Sequence, residues 1–195
     1  CAITAAGIAG APKIEVDAAV GDFIPDGSYL KTYISETKDL FTTYGDDVQL
    51  YAKGTLDLPQ DDSVLLAATA AFKNNQYIID ASVRSWIDDF KSANPNVNSG
   101  NYISSLKTWL SSGVGAQYQS DVVFDNDTAP TAILASRVHG NHPKTDKSRV
   151  SVRGMDSVRS DISAVSGNDG QIFAYGAQWL NYEQYKSISA EAFRN

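Results

Sequence analysis

Few groups of residues in this sequence have the types and spacing that catalysis or metal binding requires. The two histidines, His139 and His142, are separated by two residues. Gly140 and Pro143 predict a turn there, and no carboxylate lies between the imidazoles, so we expect exposed loop histidines rather than a metal or catalytic pair. Cys1 is the one cysteine, which excludes an internal disulfide and a cysteine-rich zinc site.

The carboxylates include two adjacent pairs, Asp61-Asp62 and Asp88-Asp89. Neighbouring side chains on a helix point in different directions, so such pairs are poorly suited to general acid–base catalysis. Near a helix start they interact favourably with the helix dipole, and we interpret them as solvated or capping groups. No glycine-rich phosphate loop and no Gly-x-Ser-x-Gly nucleophile elbow is present. We therefore predict a domain without enzymatic activity, metal or cofactor.

The run Asp125-Asn126-Asp127-Thr128 supports two interpretations. Its oxygen donors lie close together, as a calcium site needs, but it lacks the glycine and the distal glutamate of an EF-hand loop. The run also contains the acceptor sequon Asn126-Asp127-Thr128, in a predicted surface loop. Asn126 is therefore a glycosylation candidate if this segment lies outside the cytosol.

Length and charge limit the kind of protein that positions these residues. The chain has 195 residues, a formal net charge of -7 and 43% hydrophobic residues. This length fits one domain or two very small ones, and the negative charge argues against a nucleic-acid partner, because phosphate contacts need a basic face. No run of about 18 apolar residues is present to span a bilayer. The apolar start, residues 1–10, is either the end of a membrane helix or an ordinary buried segment.

Six segments have the periodicity of strands or helices and predict the fold. Apolar residues recur at every second position in the strands and every three to four positions in the helices. The order is strand 12–20, helix 28–43, strand 47–54, strand 131–139, helix 147–165 and strand 171–177. It predicts an α+β, ferredoxin-like sandwich: one antiparallel sheet, its first and third strands central, with both helices on the same face.

A helical insertion of about 56–117 separates the second and third predicted strands. Three apolar stripes predict a helix from Asp61 or Asp62 to about Asn74, a helix over 81–93 and a helix over 100–112. No β-branched alternation interrupts these stripes. We expect the insertion to protrude from the sandwich as a subdomain.

Four aromatic residues of the insertion are the candidates for a ligand or partner surface: Trp86, Phe90, Tyr102 and Trp109. The alternative is that they pack against the domain's own helices, which is the commoner role of aromatic residues on a helical stripe. The surface interpretation requires that at least one of Trp86 and Trp109 is partly exposed.

Four segments resemble, in order, the large extracytosolic domains of Patched-type membrane proteins. This family is a eukaryotic branch of the resistance–nodulation–division transporter superfamily and includes the Dispatched and Niemann–Pick type C proteins. The similar segments are 22–30 (Asp-Phe-Ile-Pro-Asp-Gly-Ser-Tyr-Leu), 85–90 (Ser-Trp-Ile-Asp-Asp-Phe), 133–137 (Ile-Leu-Ala-Ser-Arg), and 173–175 (Phe-Ala-Tyr) together with 182–185 (Tyr-Glu-Gln-Tyr). The similarity spans about residues 15–190.

The resemblance implies a ferredoxin-like sandwich with a helical insertion, placed between two transmembrane helices of a larger protein. Residues 1–195 are then a single extracytosolic domain, more similar to the second such domain of the family than to the first. Residues 1–10 become the end of the preceding membrane helix. The membrane-proximal residues before the next one are Trp179, Tyr182, Glu183, Gln184 and Tyr185. The chain departs from the disulfide-rich Niemann–Pick domains in having one cysteine.

The function that the resemblance implies is that of a membrane transporter or receptor domain on the extracellular or organelle-luminal side. Such a domain handles a sterol, a lipid or a lipidated ligand, and its partners are the sister domain and the membrane helices of the same parent chain. The alternative is a cell-surface adhesion or interaction module without transport. For the transporter hypothesis, the segments near residues 12 and 185 must meet at one pole, and apolar surface must stay uncovered around five residues: Ala5, Ile8, Trp179, Tyr182 and Tyr185.

Overall fold

The structure is a computed structural model that describes most of the chain. The described residues are 24–40, 44–56, 62–145, 147–166 and 170–192. They belong to two compact units. The larger unit contains residues 44–143 and 156–177, and the smaller one contains the described parts of 1–43, 144–155 and 178–195.

The larger unit is built on a four-stranded antiparallel sheet. Its strands are β1 (Tyr44–Leu56), β2 (Val122–Phe124), β3 (Ile133–Pro143) and β4 (Ile172–Tyr175). Their order across the sheet is β2-β3-β1-β4, and every pairing is antiparallel. With the helices described below, this sheet confirms the predicted α+β class.

The segments at the centre of the sheet are not all those that we predicted. β1 and β3 are the central strands of the described sheet. We predicted 47–54 as an edge strand, but β1 pairs with β4, with Leu50 opposite Ala174. That expectation was wrong, because period-2 alternation identifies a strand without naming its neighbours. The predicted strand 12–20 lies outside the described residues.

Six α-helices and two short 3₁₀ segments complete the described elements. The 3₁₀ segments are Asp80–Ser82 and Gly113–Asp121. The helices are α1 (Tyr29–Leu40), α2 (Asp62–Asn74), α3 (Trp86–Ala93), α4 (Tyr102–Leu110), α5 (Ser148–Ser166) and α6 (Trp179–Ala192).

The segment that we predicted as an insertion is helical, as expected, but it is the connection from β1 to β2. It does not protrude as a separate subdomain, because it shares one compact unit with the sheet. α2 packs directly on β3: a Cβ atom added at Gly140 would lie 2.7 Å from Cε1 of Phe72. The helix predicted over 81–93 begins at Trp86, because Ser85 caps it and the preceding residues form a 3₁₀ turn.

The core of the larger unit lies between one face of the sheet and the helices. Leu50 on β1, Val138 on β3 and Ala174 on β4 are neighbours across the sheet and are buried. Val158 and Ile162 of α5 are buried as well. Burial of each large apolar side chain stabilises the fold by about 1.5–3 kcal/mol relative to its exposure.

One polar side chain joins the end of α2 to α5. Asn75 follows α2 and donates hydrogen bonds to Oγ of Ser157, at 3.0 Å, and to Oδ2 of Asp161, at 2.7 Å, both on α5. Asn75 is itself buried, so these bonds replace the water that its amide would otherwise bind.

The smaller unit contains α1, whose start follows the prediction. Ser28 accepts a hydrogen bond from the backbone N–H of Leu30 at 3.3 Å, and Gly27 before it has φ +85°. Tyr29 and Tyr33 on this helix are exposed. α1 belongs to the smaller unit, so the expectation that it covers the sheet beside α5 stays a prediction. Among the described residues, no helix is long and apolar enough to cross a bilayer.

Candidate functional site

Three of the four aromatic candidates are core residues. Trp86 and Phe90 on α3 and Tyr102 on α4 are at most 1% exposed. Oγ of Ser85 accepts a hydrogen bond from the backbone N–H of Asp88 at 3.3 Å, which begins α3 and turns its apolar stripe inward. The hypothesis that Trp86, Phe90 and Tyr102 form a ligand surface is therefore wrong.

Trp109 is the candidate that reaches the surface, and it is half-buried. Its indole lies 5.7 Å from the ring of Tyr118 in a stacked arrangement and 5.6 Å from the ring of Phe90. The ring of Tyr102 lies 5.3 Å from Phe90 on the other side. We call Phe90, Tyr102, Trp109 and Tyr118 the crossover cluster. Because neighbouring rings already contact the indole, only its rim is available to a partner.

The rim of Trp109 borders a shallow cavity of about 380 Å³. Several hydroxyl groups that line this cavity donate hydrogen bonds to backbone carbonyls one helical turn earlier. The Thr108 hydroxyl, for example, donates to the carbonyl of Ser104 at 2.9 Å. An apolar ligand requires a mostly apolar pocket, so this lining does not suit a sterol. The cavity is lined by Asn94, Ser104, Ser105, Thr108, Trp109 and Ser112.

The crossover cluster is tied to buried or half-buried carboxylates. The hydroxyl of Tyr102 donates to Oδ1 of Asp62 at 2.8 Å, and the hydroxyl of Tyr118 donates to Oδ2 of Asp89 at 2.6 Å. Burial, followed by the bond to the carboxylate, raises the pKa of both phenols above their ordinary value. Nζ of Lys91 lies 2.5 Å from Oδ2 of Asp62.

The acidic pairs thus have structural partners and are not simply solvated. Asp62 is 4% exposed, and Asp88 forms an ion pair with Lys73 at 2.7 Å. Asp61 lies outside the described residues. Asp62 lies in the first turn of α2, and Asp88 and Asp89 lie in the first turn of α3, as the helix-start interpretation expects. The expectation of a solvated group is wrong for Asp62, because tertiary packing supplies partners that no local pattern reveals.

The two histidines are not loop residues, since both lie on β3. Nε2 of His139 lies 2.9 Å from Oδ1 of Asp121, which also accepts a hydrogen bond from Nε of Arg137 at 2.7 Å. That bond raises the pKa of the Arg137 guanidinium. His142 is buried and its Nδ1 donates to the carbonyl of Tyr77 at 2.6 Å. Burial lowers the pKa of His142.

Sequence reasoning did not select Asp121. It lies next to Arg137 and His139 because β2 pairs with β3 in a register that sets Val122 opposite Ser136. A register is a long-range property, so no local signal identifies this carboxylate.

In the loop after β2, the carboxylate of Asp125 accepts hydrogen bonds from other residues of the same loop. Asp125 accepts hydrogen bonds from the backbone N–H groups of Thr131, at 2.9 Å, and Ala132, at 3.1 Å, and from the Thr131 hydroxyl. These bonds, led by that of the hydroxyl, lower the pKa of Asp125 to about 2. Both carboxylate oxygens are therefore occupied within the loop, which does not favour a calcium site. In the described part of the chain, no group of three or more His, Cys, Asp or Glu side chains is placed to hold a metal ion.

A second aromatic group lies on the face of the sheet opposite the core. The rings of Tyr51 on β1 and Phe173 on β4 stack with centroids 5.6 Å apart. Nζ of Lys53 lies 5.5 Å above the Phe173 ring, and Tyr175 is 44% exposed. We call Tyr51, Lys53, Phe173 and Tyr175 the outer-sheet group. We had assigned no binding role to it, although its outward positions follow from the alternation in 47–54 and 171–177.

The membrane-proximal candidates lie on α6, in the smaller unit. Trp179 is fully buried, so the expected uncovered surface is absent at that residue. Tyr182 and Tyr185 are half-buried, and Glu183 and Gln184 are exposed. The neighbouring Leu180 is 60% exposed and lines a shallow depression with Glu183, Gln184 and Ser187. Ala5, Ile8 and residue 12 lie outside the described residues, so the prediction about the two chain ends stays a prediction.

Comparison with models of known protein families finds no match for this chain, and comparison with curated proteins finds none either. The functional interpretation therefore depends on the sequence segments and on the surfaces described above.

Proposed function

We propose that this chain is an extracytosolic domain of a Patched-like membrane transporter or receptor that handles a sterol, a lipid or a lipidated ligand. In this proposal the domain performs no chemistry. It contributes a surface beside the membrane, and the parent's membrane helices carry the ion-coupled transport.

The observation that carries the proposal is where the similar segments fall in the fold. Residues 85–90 form the start of α3 and lie in the core of the connection from β1 to β2, and residues 133–137 form the first part of the central strand β3. Residues 173–175 form most of β4, and residues 182–185 lie in α6, which begins four residues after β4 ends. Three of the four similar segments therefore fall mainly in helices and strands of the fold, and this placement supports the proposal.

The surfaces that suit an apolar ligand or a sister domain differ from those expected. Three of the four rings of the crossover cluster are buried, whereas the outer-sheet group presents two aromatic rings and an ammonium group that are partly exposed. Aromatic rings with a nearby cation suit amphipathic partners, such as a sterol or a lipid with a polar head. Leu180 on α6 supplies a second exposed apolar side chain.

Photolabelling tests the proposal. The full-length protein that contains this chain is expressed in membranes and labelled with a photoactivatable sterol, and the labelled peptides are mapped. We expect labelling that excess unlabelled sterol removes, and we expect Phe173→Ala to reduce it severalfold. Val114→Ala is the matched control, since Val114 is an exposed apolar residue of a 3₁₀ segment.

Two results contradict the sterol form of the proposal. The first is labelling that excess sterol does not remove, and the second is an equal loss in the Phe173→Ala and Val114→Ala proteins. A full-length protein that lacks membrane helices and binds another surface protein supports the adhesion alternative instead.

A further inference from the structure

The loop between β2 and β3 contains a modification sequon that is unique in this chain. Asn126-Asp127-Thr128 is the one Asn-x-Ser/Thr triplet among the 195 residues, and no proline occupies its middle position. All three residues are exposed. A large polar adduct at Asn126 therefore displaces no packed side chain.

The base of this loop is held rigidly while the sequon lies at its exposed part. Asp125 accepts three hydrogen bonds from Thr131 and Ala132, which close the loop across its neck. Lys107 of α4 donates to the carbonyls of Asp127 and Thr128. These contacts use the side chains of Asp125, Thr131 and Lys107 together with backbone groups, so none of them involves the side chain of Asn126 or Thr128.

The asparagine side chain adopts a turn that leaves its amide nitrogen free. Oδ1 of Asn126 accepts hydrogen bonds from the backbone N–H groups of Thr128, at 2.8 Å, and Ala129, at 3.1 Å. This is an Asx turn. Nδ2 of Asn126 donates no hydrogen bond within the described part of the chain, and Nδ2 is the atom that an oligosaccharide would modify.

We propose that Asn126 carries an N-linked oligosaccharide. Nδ2 attacks the anomeric carbon of a lipid-diphosphate-linked oligosaccharide; the new C–N bond forms, the bond from that carbon to the diphosphate oxygen breaks, and the lipid diphosphate leaves while the amide gives up one proton. The inference rests on the proposed function, because the sugar donor is available on the extracytosolic side only. It also implies that no partner domain covers the β2–β3 loop.

A second site in the chain provides a control that tests whether the domain reaches the extracytosolic side. Asn98-Ser99-Gly100 lacks only the third residue of a sequon, and all three residues are exposed. Oδ1 of Asn98 accepts a hydrogen bond from the backbone N–H of Gly100 at 3.0 Å, the same turn as at Asn126. A Cβ atom at Gly100 would come no closer than 3.4 Å to a non-neighbouring atom, Oδ1 of Asn98, so Gly100→Thr is tolerated sterically.

The experiment compares gel mobility of the full-length protein, expressed in a eukaryotic cell, before and after treatment with peptide N-glycosidase. We expect a single enzyme-sensitive shift in the wild type, its loss in Asn126→Gln and Thr128→Ala, and its retention in Thr128→Ser. Gly100→Thr should add a second shift. Peptide mass analysis after the enzyme should find aspartate in place of Asn126.

Two results overturn the inference and separate it from the proposed function. If the wild type is unmodified while Gly100→Thr acquires a sugar, the domain is extracytosolic but Asn126 is not a glycosylation site. If neither protein is modified, the extracytosolic location fails, and the inference about Asn126 fails with it.

Discussion

The crossover cluster and the outer-sheet group use the same residue types in opposite environments. Phe90 and Tyr102 of the crossover cluster are at most 1% exposed. The hydroxyls of Tyr102 and Tyr118 donate hydrogen bonds to Asp62 and Asp89. Phe173 and Tyr175 of the outer-sheet group are 37% and 44% exposed. The comparison shows that the aromatic helices stabilise this domain, while the aromatic strands offer it a surface.

The contrast follows from the geometry of the two elements. A helical stripe that packs on the core buries its large side chains and exposes the opposite face of the helix. A strand sends alternate residues to the two faces of the sheet, so a covered inner face leaves every second residue outside. Aromatic residues at the outward positions of β1 and β4 leave apolar surface exposed to water, and a partner would cover that surface.

The largest expected difference between the two groups is in stability. Phe90→Ala removes a fully buried ring and should lower the free energy of unfolding by about 3–5 kcal/mol. Phe173→Ala loses the stacking contact with Tyr51 and the contact with the Lys53 ammonium at the surface, and should cost about 1–2 kcal/mol. Urea unfolding followed by tryptophan fluorescence measures both, and equal losses would refute the assignment of core and surface.

Removing a phenolic hydroxyl sharpens the comparison. Tyr102→Phe deletes the donor to the buried Asp62 carboxylate and should cost about 1–3 kcal/mol, because that oxygen then lacks its hydrogen bond. Tyr51→Phe deletes a donor to Gln49 at the outer face, where water replaces it, and should change stability by about 0.5 kcal/mol or less. Chemical denaturation of the two variants side by side tests this, and a greater loss for Tyr51→Phe would contradict it.

The buried inner face also predicts a pH dependence through His142. Burial lowers the pKa of His142, while the bond to the Tyr77 carbonyl and the nearby Asp46 oppose this shift. As the pH falls, the unfolded chain therefore takes up the proton at a higher pH than the folded chain. The stability is therefore complete above the unfolded pKa of about 6.5 and falls as the pH decreases, by at most about 1.4 kcal/mol per pH unit from this group.

The measurement is the free energy of unfolding at about pH 7.5 and about pH 5.5 in the wild type and in His142→Gln. We expect a smaller difference between the two pH values in the variant. An unchanged difference would show that other groups carry the pH dependence.

A small effect is expected from the cation of the outer-sheet group. Lys53→Met keeps most of the aliphatic stem and removes the ammonium over the Phe173 ring, so we expect a loss of about 0.5–1 kcal/mol. Lys53→Arg keeps a cation and is the control. If Lys53→Met is as stable as Lys53→Arg, the contact with Phe173 does not contribute to stability.

Local patterns in the sequence predicted most elements of the larger unit correctly. The alternation around Val48 and Leu50 and the stripe through Val158 and Ile162 correspond to β1 and α5. The Ser85 cap marks the start of α3, but it was missed inside a longer apolar stripe. Signals of this kind depend on neighbours within a few residues, and the sequence contains them in full.

Properties that depend on distant pairing were not predicted. The neighbours of β1, the binding of His139 and Arg137 to Asp121, and the packing of Phe72 on Gly140 all depend on which strands and helices meet. The aromatic candidates failed for a related reason. A stripe of aromatic residues identifies the buried face of a helix but does not say whether a partner or the same chain covers it.

The central claim is that this chain is an extracytosolic domain between two membrane helices, and the sequence of the complete transcript tests it most directly. Our account predicts an apolar stretch of about 20 residues that includes or closely precedes residues 1–10, and another that begins shortly after α6, each flanked by further such stretches in the full reading frame. A complete reading frame without membrane-spanning stretches on both sides of this segment would contradict the account.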